Sequence, residues 1–261
     1  MINKNIQSTF IYNTAMDSEV CQRLLQLNNL FYQTFAVQFS ATRQRLQPGV
    51  LKIIDDLPSP AQILDLGCGN GELARQLAKH VQEGEYIGID SSAELLEIAR
   101  QSIKPIHRPE FTVQFHQADL SNPDWDRILG DLKFNVICAF AILHHIPGES
   151  LRKQIISRLA ARLTPGGVFI HSEWQFLNSP RLRARILPWA TIGLSDSQVD
   201  AGDYLLDWRS GGEGLRYVHH FSSFELTQLA EQSGFRILNE FNSDGEENRL
   251  GLYQIWIPNQ R

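Results

Sequence analysis

The chain is 261 residues long, 43% apolar and 20% charged, with a net charge of −5. One domain with an elaboration fits that length, and the apolar content suffices for a sizeable core, which excludes wholesale disorder. The acidic balance excludes a uniformly basic surface, and no apolar run approaches the ~20 residues of a bilayer span.

Cys21, Cys68 and Cys138 lie too far apart for paired zinc spacing, so buried free thiols and no metal are expected. The N-terminus has no basic region followed by a long apolar segment. The expectation is a cytoplasmic protein without a membrane or DNA partner.

Residues 1–16 are polar and show no period. From Asp17, apolar residues at Val20, Leu24, Leu27, Phe31 and Phe35 recur at three and four, which predicts a helix. Pro48 to Leu57 reads as a second helix, stopped by Pro58-Ser59-Pro60. The run Ile63-Leu64-Asp65-Leu66 predicts a strand. It opens into Gly67-Cys68-Gly69-Asn70-Gly71 and then a helix from Glu72. Strand, glycine turn and helix form the layout of a nucleotide site, where glycines permit close approach and the helix start offers unpaired N–H groups.

Tyr86 to Asp90 predicts a buried strand ending on an acid, 25 residues after Asp65. A carboxylate there can accept two hydrogen bonds from a ribose diol; Asp90 or Ser91 can equally cap the following helix. Ser92 to Ser102 reads as that helix. Phe111 to Asp119 alternates as a strand, again ending on an acid, and Phe134 to Phe140 is a fourth strand. Glu149 to Leu163 is an amphipathic helix, followed by the turn Thr164-Pro165-Gly166-Gly167 and the strand Val168 to His171. Residues 175–220 break the alternation, with Arg181, Arg183 and Arg185 and no acid between Gln175 and Ser195. Ser222 then caps a helix through Gln232, and Phe235 to Phe241 and Leu252 to Ile257 form a closing antiparallel pair. Seven strands in this order predict an α/β fold. The sheet is doubly wound and mostly parallel, with an antiparallel edge hairpin and an inserted lid. The chain reads as one domain, 1–261, with an N-terminal helical lid at 1–57 and an insertion at 175–220.

The G-x-G-x-G spacing after Asp65, Asp90, Asp119 and the Leu-Thr-Pro-Gly-Gly turn resemble the class I S-adenosylmethionine-dependent methyltransferases. That resemblance implies a Rossmann-like methyltransferase fold with S-adenosylmethionine as cofactor. It assigns cofactor contacts to Asp65, Gly67, Cys68, Gly69, Asn70, Gly71, Asp90, Ser91, Asp119, Leu120 and Ala139. Arg43 is implied at the cofactor's carboxylate, with a surface position as the alternative. Phe39-Ser40-Ala41-Thr42-Arg43, Ala141-Ile142-Leu143-His144-His145, Gly202-Asp203-Tyr204 through Trp208, and Tyr217 through Phe221 are similar to one branch. That branch comprises the tRNA wobble-uridine methyltransferases that esterify 5-carboxymethyluridine. The stretch Asp244-Gly245-Glu246-Glu247-Asn248 departs from its pattern by being longer and more acidic.

A carboxylate acceptor is already ionised and needs a cation to hold it, for which Arg181, Arg183, Arg185, Arg209 and Arg216 are candidates. A hydroxyl or amine acceptor needs a base, for which His144, His145, His219 and His220 are candidates. His144 stands out among them because it follows the fourth strand. Three readings stay open. The first is a tRNA methyltransferase, with a small activating subunit as in related enzymes. The second is a small-molecule O- or N-methyltransferase whose insertion is a pocket lid. The third is a silent cofactor-binding subunit.

Overall fold

The computed structural model describes residues 16–81, 83–106 and 108–259. The first fifteen residues of the expected lid lie outside that range. Helix α1 (Ser18–Ala41) starts where Asp17 accepts the Glu19 N–H, and it buries Val20, Leu24, Phe31 and Phe35 on one face. Each such side chain contributes at most ~1.5–3 kcal/mol on burial. Helix α2 (Pro48–Ile54) follows, and its Gly49 N–H is received by Asp244 at 2.9 Å.

Strand β1 (Ala61–Leu66) leads through the glycine turn into α3 (Glu72–His80), and β2 (Gly84–Asp90) into α4 (Ala93–Ile103). Strands β3 (Phe111–Gln117) and β4 (Phe134–Phe140) precede α5 (Glu149–Arg162) and β5 (Leu163–Trp174). The insertion contains a one-turn helix α6 (Pro180–Arg183) and the strands β6 (Ile186–Leu187), β7 (Asp203–Trp208) and β8 (Gly214–His219). The chain closes with α7 (Ser223–Gln232), capped by Ser222, and with β9 (Phe235–Ser243) and β10 (Gly251–Pro258).

The main sheet runs β3-β2-β1-β4-β5-β10-β9, with β1 to β5 parallel and β10 antiparallel to both neighbours. The expected doubly wound sheet with an antiparallel edge is present. One apolar layer, including Leu64, Ile87, Ile137 and Trp256, packs on one face; Ile63, Tyr86, Val136 and Tyr253 pack on the other. Strand order reverses between β1 and β4, so a crevice opens at their C-terminal ends. No helix among the described residues is long and apolar enough to cross a membrane.

The insertion is more ordered than an irregular lid, because β6, β7 and β8 form an antiparallel sheet of their own. It docks on α1 through Leu24, Trp189, Leu205 and Tyr217, and through Phe31, Phe35 and Trp208. One buried side chain fastens the two. Asn28 Oδ1 accepts the Tyr217 N–H at 2.8 Å, while its Nδ2 donates to the carbonyls of Tyr217 and His145, each at 3.1 Å.

A second fastening joins the insertion to α7. Buried His219 has Nδ1 2.6 Å from Asp203 and Nε2 2.8 Å from Glu225. Desolvation opposes its charge, but those two carboxylates outweigh it and raise its pKa above the ordinary 6.5. Arg152 weakens that rise, and Asp200 faces Arg152 in the same cluster. A raised folded pKa gives stability that is full below the unfolded pKa and is lost as pH rises through the folded one. The stability gap between the native protein and His219→Gln, read from urea midpoints, is therefore expected to narrow from about pH 6 to about pH 9. A gap that widened with pH would mean His219 is neutral in the fold. Buried neutral histidines elsewhere cancel in this difference.

Candidate active site

A cavity of about 560 Å³ occupies the crevice over β1 and β4, walled by α1 and the insertion. At one end lies the glycine turn, with Gly67, Gly69 and Gly71 all at positive φ. A Cβ on Gly67 would sit 2.0 Å from Ile142 Cδ1, and one on Gly71 would sit 2.8 Å from Ala99 Cβ. The Gly69 N–H is received by Asp90 Oδ2 at 2.9 Å, and Asp90 Oδ1 takes the Ser92 N–H at 2.9 Å. Asp90 thus anchors the turn and starts α4, while its carboxylate still faces the cavity. Asn70 donates to Ser40 Oγ at 3.0 Å and to the Arg43 carbonyl at 3.2 Å, tying the end of α1 to the turn.

Two acids stand here without a cationic partner among the described residues. Asp65 is buried and receives the Tyr86 hydroxyl at 2.5 Å. Desolvation pushes its carboxyl up to about 7 against that hydrogen bond, and Asp90 adds to the rise. Asp90 is itself raised by desolvation. A cationic ligand carrying a diol would relieve both, which is the chemistry of the expected cofactor. Asp119 Oδ1 accepts from the Ser121 N–H at 2.8 Å and from its hydroxyl at 2.7 Å; Asn29 lies 3.5 Å from Oδ2.

The cavity walls include Arg43, Asp65, Gly67, Cys68, Gly69, Asn70, Asp90, Ser91, Asp119 and Leu120. Two expected positions fall elsewhere. Ala139 is fully buried in the core, and the next residues of the chain, Phe140 and Ala141, line the cavity instead. Gly71 contributes through its left-handed conformation at the start of α3, where it lies against Ala99.

At the other end sit His144, His145, Trp174 and Arg216, with Arg181 near the mouth. Arg216 is 6% exposed and lies over Trp174 at 4.8 Å, Phe31 at 5.5 Å and Trp208 at 5.6 Å. It has no ion pair with a described carboxylate, and its Nε has no hydrogen-bond partner. Desolvation pulls its pKa below the ordinary guanidinium value. Arg209 does not join it: its side chain is 70% exposed and pairs with Asp207 outside the cavity. Arg183 is exposed and donates to the Leu177 carbonyl.

The histidines carry a second lesson. His145 Nδ1 faces the Tyr217 carbonyl at 3.4 Å, which can only accept, so its Nε2 accepts from the Tyr32 hydroxyl at 2.7 Å. Enclosed by protein, His145 is driven to about 3 by desolvation first and Arg216 next. Desolvation also lowers His144 well below the ordinary value, with His145, Arg216, Arg43 and His219 adding to the effect. Neither is suited to take a proton from a hydroxyl or amine at neutral pH. His219 is committed to Asp203 and Glu225. Sequence reasoning passed over Glu173 and the pairing of Tyr32 with His145. Only the Ala141-Ile142-Leu143-His144-His145 stretch hinted at the neighbourhood.

A family profile described as a methyltransferase domain matches residues 39–240. The tRNA (carboxymethyluridine(34)-5-O)-methyltransferase of Schizosaccharomyces pombe is 27% identical over 219 residues, covering 79% of this chain and 87% of the relative. The Arabidopsis thaliana enzyme of the same name is 30% identical over 143 residues, 55% of this chain and 31% of its own length. A trans-aconitate 2-methyltransferase of Pseudomonas paraeruginosa is 34% identical over 136 residues, 51% of this chain and 43% of the relative. The chain thus spans less than half the length of the last two. A solved SAM-dependent methyltransferase of Methanosarcina mazei superposes with a TM-score of 0.63 at 23% identity, covering 83% of this chain and 99% of that one.

Proposed function

We infer the acceptor from the premise that this chain belongs to the methyltransferase domain family, whose members use S-adenosylmethionine. The proposed reaction is methyl transfer to a carboxylate, and the acceptor best supported is a carboxymethylated wobble uridine in tRNA. One observation carries the carboxylate: Arg216, a buried guanidinium without a described acid partner at the far end of the cavity. A planar fork of donors in a desolvated, aromatic-walled site binds a carboxylate bidentately.

When bound, S-adenosylmethionine would supply an electrophilic methyl, which the carboxylate oxygen would take as the C–S bond breaks with its electron pair left on sulfur. The products are a methyl ester and S-adenosylhomocysteine, and no proton is released. The protein's own residues position and exclude water. Asp90, held in place by the Gly69 N–H, would hold the ribose end, Asp65 would face the cationic end, and Arg216 would hold the acceptor. Holding the reacting atoms in line contributes several kcal/mol, up to about 7–11 where alignment is ideal.

The tRNA assignment is supported by the cavity mouth, where Arg43, Arg45 and Arg181 are all exposed on an acidic protein. The fission yeast relative, matched over most of both chains, is named for that nucleoside. A small carboxylic acid is the second reading, favoured by the relative named for trans-aconitate. The two separate in one experiment. Three arginines at the mouth predict a log–log salt slope of about −2 for tRNA binding, at about −0.7 per phosphate on a single strand. Transfer to tRNA bearing 5-carboxymethyluridine, with and without a small partner subunit, is expected alongside it. A flat salt response together with turnover of a small carboxylic acid would select the second reading.

A further inference from the structure

Glu173 on β5 is 1% exposed and lines the acceptor end of the cavity. Its close partners are two histidines. Oε1 lies 3.0 Å from His171 Nδ1, and Oε2 lies 2.9 Å from His144 Nδ1 while also accepting the His144 backbone N–H at 3.1 Å. The position of the proton between Oε2 and His144 decides what His144 shows to the acceptor.

The backbone of Trp174 settles that position. Its N–H points at the same His144 Nδ1, at 3.3 Å. An N–H can only donate, so Nδ1 presents its lone pair. Glu173 Oε2 faces that lone pair too, and it can bond there only by carrying a proton itself. The ring's own proton then resides on Nε2, on a residue that lines the cavity. His171 Nδ1–H completes the chain by donating to Oε1. Protonation energetics agree with the geometry. Desolvation raises Glu173 well above the ordinary carboxyl range, Glu225 adding to it and the His144 N–H and Arg152 opposing it. His144 is held neutral by desolvation and by the cations around it.

We propose that Glu173 is a protonated positioning residue that donates to His144 Nδ1 and so fixes His144 as an Nε2–H donor toward the acceptor. His144 and Arg216, both on the cavity wall, then each offer a donor. Such a site suits a nucleophile that arrives already ionised and leaves an alcohol or amine with no group to take its proton. What the Nε2–H holds rests on the carboxylate reading above; the tautomer does not.

Two measurements test this. Long-range ¹H–¹⁵N correlation spectra of the ligand-free protein, with His144 assigned through His144→Gln, are expected to show the Nε2–H tautomer. That tautomer should persist between about pH 6 and 8. An Nδ1–H signal, or an imidazolium titrating in that range, overturns the proposal. In turnover, Glu173→Ala is expected to lower kcat about 10- to 100-fold, as other supporting residues do. Glu173→Gln should recover part of that loss, because its amide can donate to Nδ1 and accept from His171, while its NH₂ is set against the His144 backbone N–H. If glutamine were no better than alanine and His144 lost its Nε2–H signal in neither variant, while S-adenosylhomocysteine still bound both normally, Glu173 would not position that tautomer and the proposal would fail. An Nε2–H His144 in a protein that methylates no carboxylate would leave the tautomer standing and remove the acceptor assignment.

Discussion

Replacing Arg216 with leucine is expected to lower kcat/KM for the acceptor by about two to three orders of magnitude, the usual effect of removing a charged donor from a desolvated site. Affinity for S-adenosylhomocysteine should change by less than about threefold, since the proposed cofactor contacts are Asp65, Asp90 and the glycine turn rather than Arg216. Leucine fills part of the space but removes the guanidinium from over Trp174, Phe31 and Trp208, so the unchanged S-adenosylhomocysteine affinity is what excludes a collapsed wall. Lysine should recover little. Its ammonium cannot form two parallel bonds or stack on three rings as a planar guanidinium does. If the leucine variant turned over the acceptor within about tenfold of the native rate, the carboxylate would have to be held elsewhere.

Asp90→Ala is expected to weaken S-adenosylhomocysteine binding by about 100-fold or more. Two lost ribose hydrogen bonds alone account for ~1–3 kcal/mol. The remainder comes from the protein itself, because Asp90 also receives the N–H groups of Gly69 and Ser92. Without them the glycine turn and the start of α4 lose their common anchor. Asn at the same position keeps one acceptor oxygen and sets an NH₂ against one of the two N–H groups, so it should rank between the two. Calorimetry decides, and an unchanged affinity for Asp90→Ala would remove Asp90 from the cofactor site.

The cofactor end was readable in the sequence because its determinants are local. A strand, an acid and a turn are contiguous, and the caps at Asp17 and Ser222 sit next to the helices they start. That Arg43 and Asn70 line the cavity was legible by motif, though not their mutual contact across 27 residues. The acceptor end was only half readable. Five arginines were candidates there, and nothing local separated Arg216, inside a box of rings, from Arg209, paired outward with Asp207. Arg216 lies within β8 and Arg209 just beyond β7, and these strands bury residues on both faces, so no alternation shows in the sequence. Asp244 followed the same course. As part of an acidic stretch it looked like a departure from pattern, yet it is buried, receiving the Gly49 N–H and the Tyr253 hydroxyl at 2.6 Å.

Among the described residues, the side-chain hydrogen bonds of Asn28 go to main-chain groups: the N–H and carbonyl of Tyr217 and the carbonyl of His145. A clasp of that kind does not read side chains. Residues on the insertion strand and on the loop after β4 that do not pack on α1, unlike Leu205 and Tyr217, can therefore be exchanged without losing that clasp. The helix that covers the cofactor and the wall that chooses the acceptor share one joint, yet the joint places no demand on what the wall displays. In terms of descent, that separates inheritance of the scaffold from drift of the specificity it carries. A new acceptor could be acquired by repainting a few inward-facing positions on a frame that stays in place.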